Sequence, residues 1–271
     1  MQTVTSADGT TIAYDRVGDG TAGTVILIGG AFSYREFSTM VELANTLADD
    51  YGLTVLNYDR RGRGDSADSP GVYDVANEIA DIAALVEVAG GKAALFGWSS
   101  GAALALLAAA AVPGVTEVVA FEPPFVVDPK DHVPPKDLAA KLHPMIAGGK
   151  RNKTVRYYMT KAMGMPALMV ATMRITPFWK SLAATSNSTA HDWAVMQPYM
   201  QGKKLDPADW EKVRVPVLVL AGARSWTRRI GRRCGCRCWC SRAIGPRGCS
   251  PRAPRRRPRC CPRPRSPNCP G

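Results

Sequence analysis

The spacing of apolar and polar positions divides the chain into a strand-and-helix rhythm, a helical interruption and a brief return of the rhythm. Residues 3–16 alternate around Asp8-Gly9, the pair that favours a tight turn, which predicts a hairpin with strands near 2–6 and 10–16. From Thr24 to Gly30 the run is continuously apolar, the pattern of a strand buried on both faces. Helical spacing follows over 35–50, with Phe37, Met40, Leu43, Ala44 and Leu47 on one side. Leu53–Tyr58 reads as a second buried strand, 73–88 as a second amphipathic helix and Ala93–Phe96 as a third strand. A helix of small residues over 100–112 stops before Pro113, and Val115–Phe121 is a fourth strand. Parallel strands alternating with helices predict an α/β fold: an open, mostly parallel sheet with helices on both faces.

From about 126 to 205 the strand rhythm disappears, and helical stretches are broken by Pro134-Pro135, Gly148-Gly149, Pro166 and Pro177. Val215–Ala221 then returns as one more buried strand. An insertion between two sheet strands predicts a helical cap over the strand ends, where ligands bind. The expected organisation is a core of residues 1–125 and 206–223, a cap of 126–205 and a tail of 224–271.

Charge sharpens these boundaries. Residues 1–125 carry 6 basic and 16 acidic side chains, whereas 126–205 carry 12 basic and 4 acidic. The tail holds 15 Arg, 8 Pro and all 8 Cys without a single Asp, Glu or Lys, so the formal net charge of +12 comes entirely from it. No apolar run reaches the ~18 residues of a membrane span, which excludes that class. No basic segment followed by an apolar run opens the chain, so the expected location is cytoplasmic.

The sharpest chemical signal is Gly97-Trp98-Ser99-Ser100-Gly101. G-x-S-x-G alone is weak, but here it follows a buried strand directly and opens a small-residue helix. A strand-to-helix turn this sharp needs glycines where a Cβ would clash, and it lifts Ser99 Oγ to the edge of the sheet. The helix N-terminus beneath it favours developing negative charge.

Two further segments agree with it. Gly29-Gly30-Ala31-Phe32 follows the first central strand, and Tyr58-Asp59-Arg60-Arg61-Gly62-Arg63-Gly64-Asp65-Ser66 follows the next. Together the three signatures resemble the α/β-hydrolases, cap-bearing serine hydrolases, over residues 1–223. The first matches their oxyanion loop, usually His-Gly-x, and the second their D-x-R-G-x-G-x-S turn. The resemblance implies Ser99 as nucleophile and the backbone N–H groups of Ala31 and Ser100 as the oxyanion hole, with Phe32 and Trp98 as candidate substrate contacts. Gly29 stands where the family usually has His, a residue that orders the loop. The Arg60–Ser66 turn reads as structural, its glycines permitting the turn and its Arg and Asp tying it down.

A serine nucleophile needs a histidine to take its proton and an acid to orient that histidine. The family's order is Ser, acid, His, with the His after the last strand. This chain's three histidines, His132, His143 and His191, all lie in the predicted cap, so no catalytic His is identified. No carboxylate follows 215–221 at the usual acid position; Glu122, after strand 115–121, is the alternative acid, or a structural carboxylate beside Pro123-Pro124.

The tail accounts for the loss. Pro-Arg and Arg-Cys pairs recur in it, and GC-rich codons for an Ala/Leu helix, read one base late, yield those pairs. The tail therefore reads as a frameshifted C-terminus, without fixed structure. Cys234–Cys240 lacks the spacing of zinc ligands and any histidine partner, so no metal or cofactor is expected. The tail's charge implies only non-specific affinity for nucleic acid.

The predicted cap holds 8 of the chain's 10 Met, together with Tyr157, Tyr158, Phe178, Trp179, Trp193 and Tyr199. These suit a small apolar ester as substrate, or simply glue the cap helices together. The expected function is an esterase- or lipase-like serine hydrolase. The alternatives are a catalytically inactive binding protein on the same fold, or a haloperoxidase, lyase or peptidase.

Overall fold

The computed structural model describes residues 1–221 of the 271-residue chain. The expected tail from 224 onward lies outside the described residues. Among the described residues, seven strands form a single sheet in the order β1-β2-β4-β3-β5-β6-β7. β1 (Gln2–Thr5) and β2 (Thr11–Val17) make the antiparallel hairpin around Asp8-Gly9, and β2 pairs antiparallel with β4 (Thr54–Tyr58). The remaining pairs are all parallel: β3 (Thr24–Ile28) lies between β4 and β5 (Ala93–Trp98), followed by β6 (Val115–Phe121) and β7 (Val217–Leu220).

The continuous apolar runs are explained by the two faces of this sheet. Ile26 and Ile28 pack with α2 (Val75–Val88) and α3 (Ser100–Ala111), while Val25 and Leu27 pack with Met40 and Ala44 of α1 (Ser38–Tyr51). Both faces of β3 are therefore buried, as a parallel strand requires. α1 stops at Gly52, whose φ of 62° closes the helix in the left-handed region, and α2 opens on a capping box between Asp74 and Asn77. α3 is apolar nearly all round and runs through the core, with nine of its twelve residues buried. The predicted elements match these bounds to within a few residues. The largest offset is at α1, which begins at Ser38 rather than 35 because Tyr34–Phe37 is occupied by a hydrogen-bonded turn.

Between β6 and β7 the chain runs through α4 (Leu138–Ala147), α5 (Arg151–Tyr157), α6 (Ala167–Met173), α7 (Phe178–Ala184) and α8 (Thr189–Met196). These short helices share their own apolar cluster, including Leu142, Val155, Tyr158, Trp179 and Trp193. Phe32, from the loop after β3, enters that cluster and packs edge-on to Tyr158 with ring centroids 5.6 Å apart. The described residues contain no helix long and apolar enough to cross a membrane.

The topology sets the position of the site. From β3 the chain first moves to β4 on one side, then crosses to β5 on the other. The loops after β3 and β5 therefore diverge and leave a crevice at the strands' carboxyl ends. Gly29–Phe32 and Ser99 are the residues that leave those two strand ends.

Candidate active site

Ser99 occupies the one-residue corner between β5 and α3. Its φ of 55° and ψ of −119° lie outside the regions ordinary residues favour, so the fold holds it there against a local cost. Its N–H donates to the Phe121 carbonyl at 2.9 Å, and its own carbonyl accepts from Ala102 N–H, also at 2.9 Å. The flanking glycines are a packing requirement. A Cβ on Gly97 would come within 2.6 Å of Ala102 Cα, and one on Gly101 would run into the Ile28 carbonyl. Ser99, Ala31 and Glu122 together line a cavity of about 410 Å³, whose walls include Phe125, Tyr158 and Met196. Ser100 is the first residue of α3, so its backbone N–H has no partner within the helix.

Of the other sequence candidates, Glu122 and His132 share the Ser99 cavity, whereas Phe32, Trp98, His143 and His191 are not among its lining residues. Glu122 has a φ of 51°, is exposed, and donates its N–H to the Leu220 carbonyl at 2.7 Å. Trp98 packs against Phe37, and Phe32 packs edge-on to Tyr158 of the cavity wall. Among the histidines, His132 lines the Ser99 cavity, with Nε2 2.9 Å from the Lys161 carbonyl. The carbonyl can only accept, so Nε2 is the donor in that contact. His191 instead stacks on Tyr73, rings 4.0 Å apart, with Nε2 3.5 Å from Asp68. Burial holds its pKa below the ordinary imidazole value, against the opposing pull of Glu78 and Asp68. His143 is exposed on α4.

Behind the elbow lies a buried ionic network. Arg60 grips Glu78 with Nε and Nη2 at 2.6 and 2.7 Å, and its Nη1 reaches Asp192 of α8 at 2.8 Å. Arg63 meets the same Asp192 oxygen at 2.7 Å, and Ser100 Oγ donates to it at 2.6 Å. Burial alone would raise the Asp192 pKa, but Arg63, Arg60 and the Ser100 hydroxyl outweigh it and keep the carboxylate ionised. Both arginines also donate to the loop after β3: Arg60 to the Gly29 carbonyl at 3.3 Å, Arg63 to those of Gly30 and Ser33 at 2.6 and 3.2 Å. Arg61 turns the other way, to Asp81 and Asp8.

The comparisons with known proteins agree with this fold. The model of the alpha/beta hydrolase family matches residues 25–246. The chain belongs to that family. An alpha/beta hydrolase from Sphaerobacter thermophilus is 41% identical, with 83% of each chain covered and a TM-score of 0.72. An esterase from Exiguobacterium antarcticum shares the fold at 18% identity and a TM-score of 0.53, over 80% of this chain and 79% of its own. The bottromycin epimerase BotH, solved with bottromycin A2, does so at 22% identity and a TM-score of 0.56, over 89% and 90%. No curated protein matches the chain by sequence.

Within this alpha/beta hydrolase, the residue that sequence reasoning missed is Asp192. Its contacts span up to 132 positions of chain, and no spacing rule connects it to Arg60. One signal was present: it is one of only four acidic residues in the strongly basic stretch 126–205. An isolated carboxylate in basic, apolar surroundings is costly to bury unless paired, which makes it a candidate for a long-range ion pair.

Proposed function

We propose that this alpha/beta hydrolase is built as a serine hydrolase for carboxylic esters with apolar acyl groups. Ser99 Oγ attacks the acyl carbon and passes its proton to a base, the alkoxide leaves with that proton as the ester C–O bond breaks, and water then cleaves the acyl–Ser99 ester, releasing the acid and restoring the hydroxyl. Meanwhile the acyl oxygen becomes an anion held by the N–H groups of Ala31 and Ser100. Such donors act where charge appears only in the transition state, and losing one costs about 10²–10³ in rate. The observation that carries this reading is the strained backbone of Ser99 at the wall of a cavity that Ala31 shares. Residues 126–205 serve as its cap, supplying Tyr158, Met163, Met196 and Met200 to the cavity wall and so an apolar acyl site. Glu122 remains the candidate acid, supported by its place in the same cavity.

The base is the weak point of the chain as it stands, because no histidine follows His191. We read residues beyond about 224 as a shifted frame whose restored version supplies the histidine. That same absence favours a second reading, a binding protein that keeps the fold without turnover. Labelling with an alkyl fluorophosphonate tests both, as attack by Ser99 Oγ on phosphorus expels fluoride and leaves a covalent adduct. Adduct on Ser99 that the Ser99→Ala variant lacks, with turnover of a short-chain nitrophenyl ester by the restored frame, supports the hydrolase. A restored chain that neither labels nor turns over the ester leaves the binding protein.

A further inference from the structure

Gly29 stands where the resembled loops carry histidine, and a side chain there would crowd Ser33. A Cβ on Gly29 would stand 2.7 Å from Ser33 Oγ and 3.0 Å from Ser33 Cβ. Other groups bond this loop, Arg60 and Arg63 among them. The Gly30 carbonyl and the Ala31 N–H belong to one peptide plane, and in a trans peptide they point in opposite directions. Arg63 Nη1 donates to that carbonyl at 2.6 Å from the buried side, and Ser33 N–H adds a second bond at 3.1 Å. Pinning the oxygen inward therefore turns the Ala31 N–H away from the buried network, on a residue that lines the Ser99 cavity. A guanidinium on the oxygen also draws electron density through the amide and makes its N–H a stronger donor.

The second oxyanion residue is tied to the same anchor. Asp192 accepts from Arg63 at 2.7 Å and from the Ser100 hydroxyl at 2.6 Å, and all three side chains are buried. One carboxylate from α8 thus links the residue behind Ala31 to Ser100, at the start of α3.

We propose that Arg63, held by Asp192, is the positioning residue of the oxyanion hole: it orients and polarises the Gly30–Ala31 peptide in place of the loop histidine. The inference rests on the serine-hydrolase reading, which gives those N–H groups their task. Arg63 touches no reacting atom; it acts through the peptide.

The test uses the full chain in four forms: wild type, Arg63→Met, Arg63→Lys and Ser99→Ala. Two quantities are measured on each, the fluorophosphonate labelling kinetics and the backbone amide resonance of Ala31 in ¹⁵N-labelled protein. For Arg63→Met the saturating labelling rate should fall by about tenfold to a hundredfold, less than or equal to the loss of a whole donor. The half-saturating probe concentration should stay near the wild-type value, and the Ala31 amide proton should move upfield. Arg63→Lys retains a charge that reaches a single carbonyl, and should restore part of both. If Arg63→Met does not fold, Arg63→Lys is scored on the same two readouts. Where wild type labels, a rate unchanged in Arg63→Met overturns the proposal; where wild type does not label, an Ala31 resonance unmoved by Arg63→Met overturns it. So does a fallen rate with an unmoved Ala31 resonance, which would mean a merely structural role. Labelling that persists in Ser99→Ala defeats the serine-hydrolase reading instead, and the Ala31 resonance then decides on the Arg63–peptide link alone.

Discussion

Removing the Asp192 carboxylate should be among the most damaging single changes in this protein. In Asp192→Ala, Arg60 keeps its two-pronged bond to Glu78, at 2.6 and 2.7 Å. Arg63 has no such reserve: its remaining acceptors are the Gly30 and Ser33 carbonyls, so a buried guanidinium is left without a carboxylate. Breaking a buried pair in this way costs about 3–5 kcal/mol, because the surviving charge cannot return to water. Urea unfolding followed by circular dichroism at pH 7 should show that loss as a lower midpoint with an unchanged slope. Adding Arg63→Met should recover part of it, since the orphaned charge is then gone as well. Asp137→Ala, which breaks only the exposed pair with Lys141, should leave the midpoint where it is. A loss below about 1 kcal/mol for Asp192→Ala would refute the reasoning. It would mean that water or a rearranged partner meets Arg63 as well as the carboxylate does.

Acid should dismantle the same network. Burial pushes the Glu78 carboxyl up, but Arg60 overrides it and brings the pKa from 4.5 to about 2. A depressed folded-state pKa gives stability that is present above about pH 4.5 and lost as pH falls toward 2, here about 3 kcal/mol. Glu78→Gln should flatten that limb of the stability–pH curve. Gly101→Ala should destabilise by about 1–3 kcal/mol and slow labelling of Ser99, because the new methyl displaces α3 from the Ile28 carbonyl. Gly71→Ala meets nothing within 4 Å and should be silent. If the unrestored chain labels appreciably, His132→Gln should abolish it and His191→Gln should not, since only His132 lines the Ser99 cavity. The coding DNA, read one base over after about codon 224, should encode a helix, a strand and a histidine; a frame without them sinks the frameshift account.

The sequence by itself determined the sheet and the elbow, for reasons that are local. Continuous apolar runs such as Thr24–Ile28 leave a strand no exposed face, and Asp8-Gly9 leaves the chain one cheap way to turn. Gly97-Trp98-Ser99-Ser100-Gly101 is legible because a sharp strand-to-helix corner restricts residue types within five positions. Even the alternation of faces, Ile26 toward α3 and Val25 toward α1, follows from the two-residue repeat of a strand. What only the tertiary structure decided is which distant side chains meet. That Asp192 closes the network behind Ser100, that Arg63 rather than a histidine holds the Gly30 carbonyl, and that His132 rather than His191 faces the cavity all depend on how the helices after β6 lie over the strand ends. Propensity and periodicity act over a few residues, whereas a buried charge chooses its partner by proximity in space. The energy that makes the choice binding, the cost of leaving that charge unpaired away from water, exists only once the chain has folded around it.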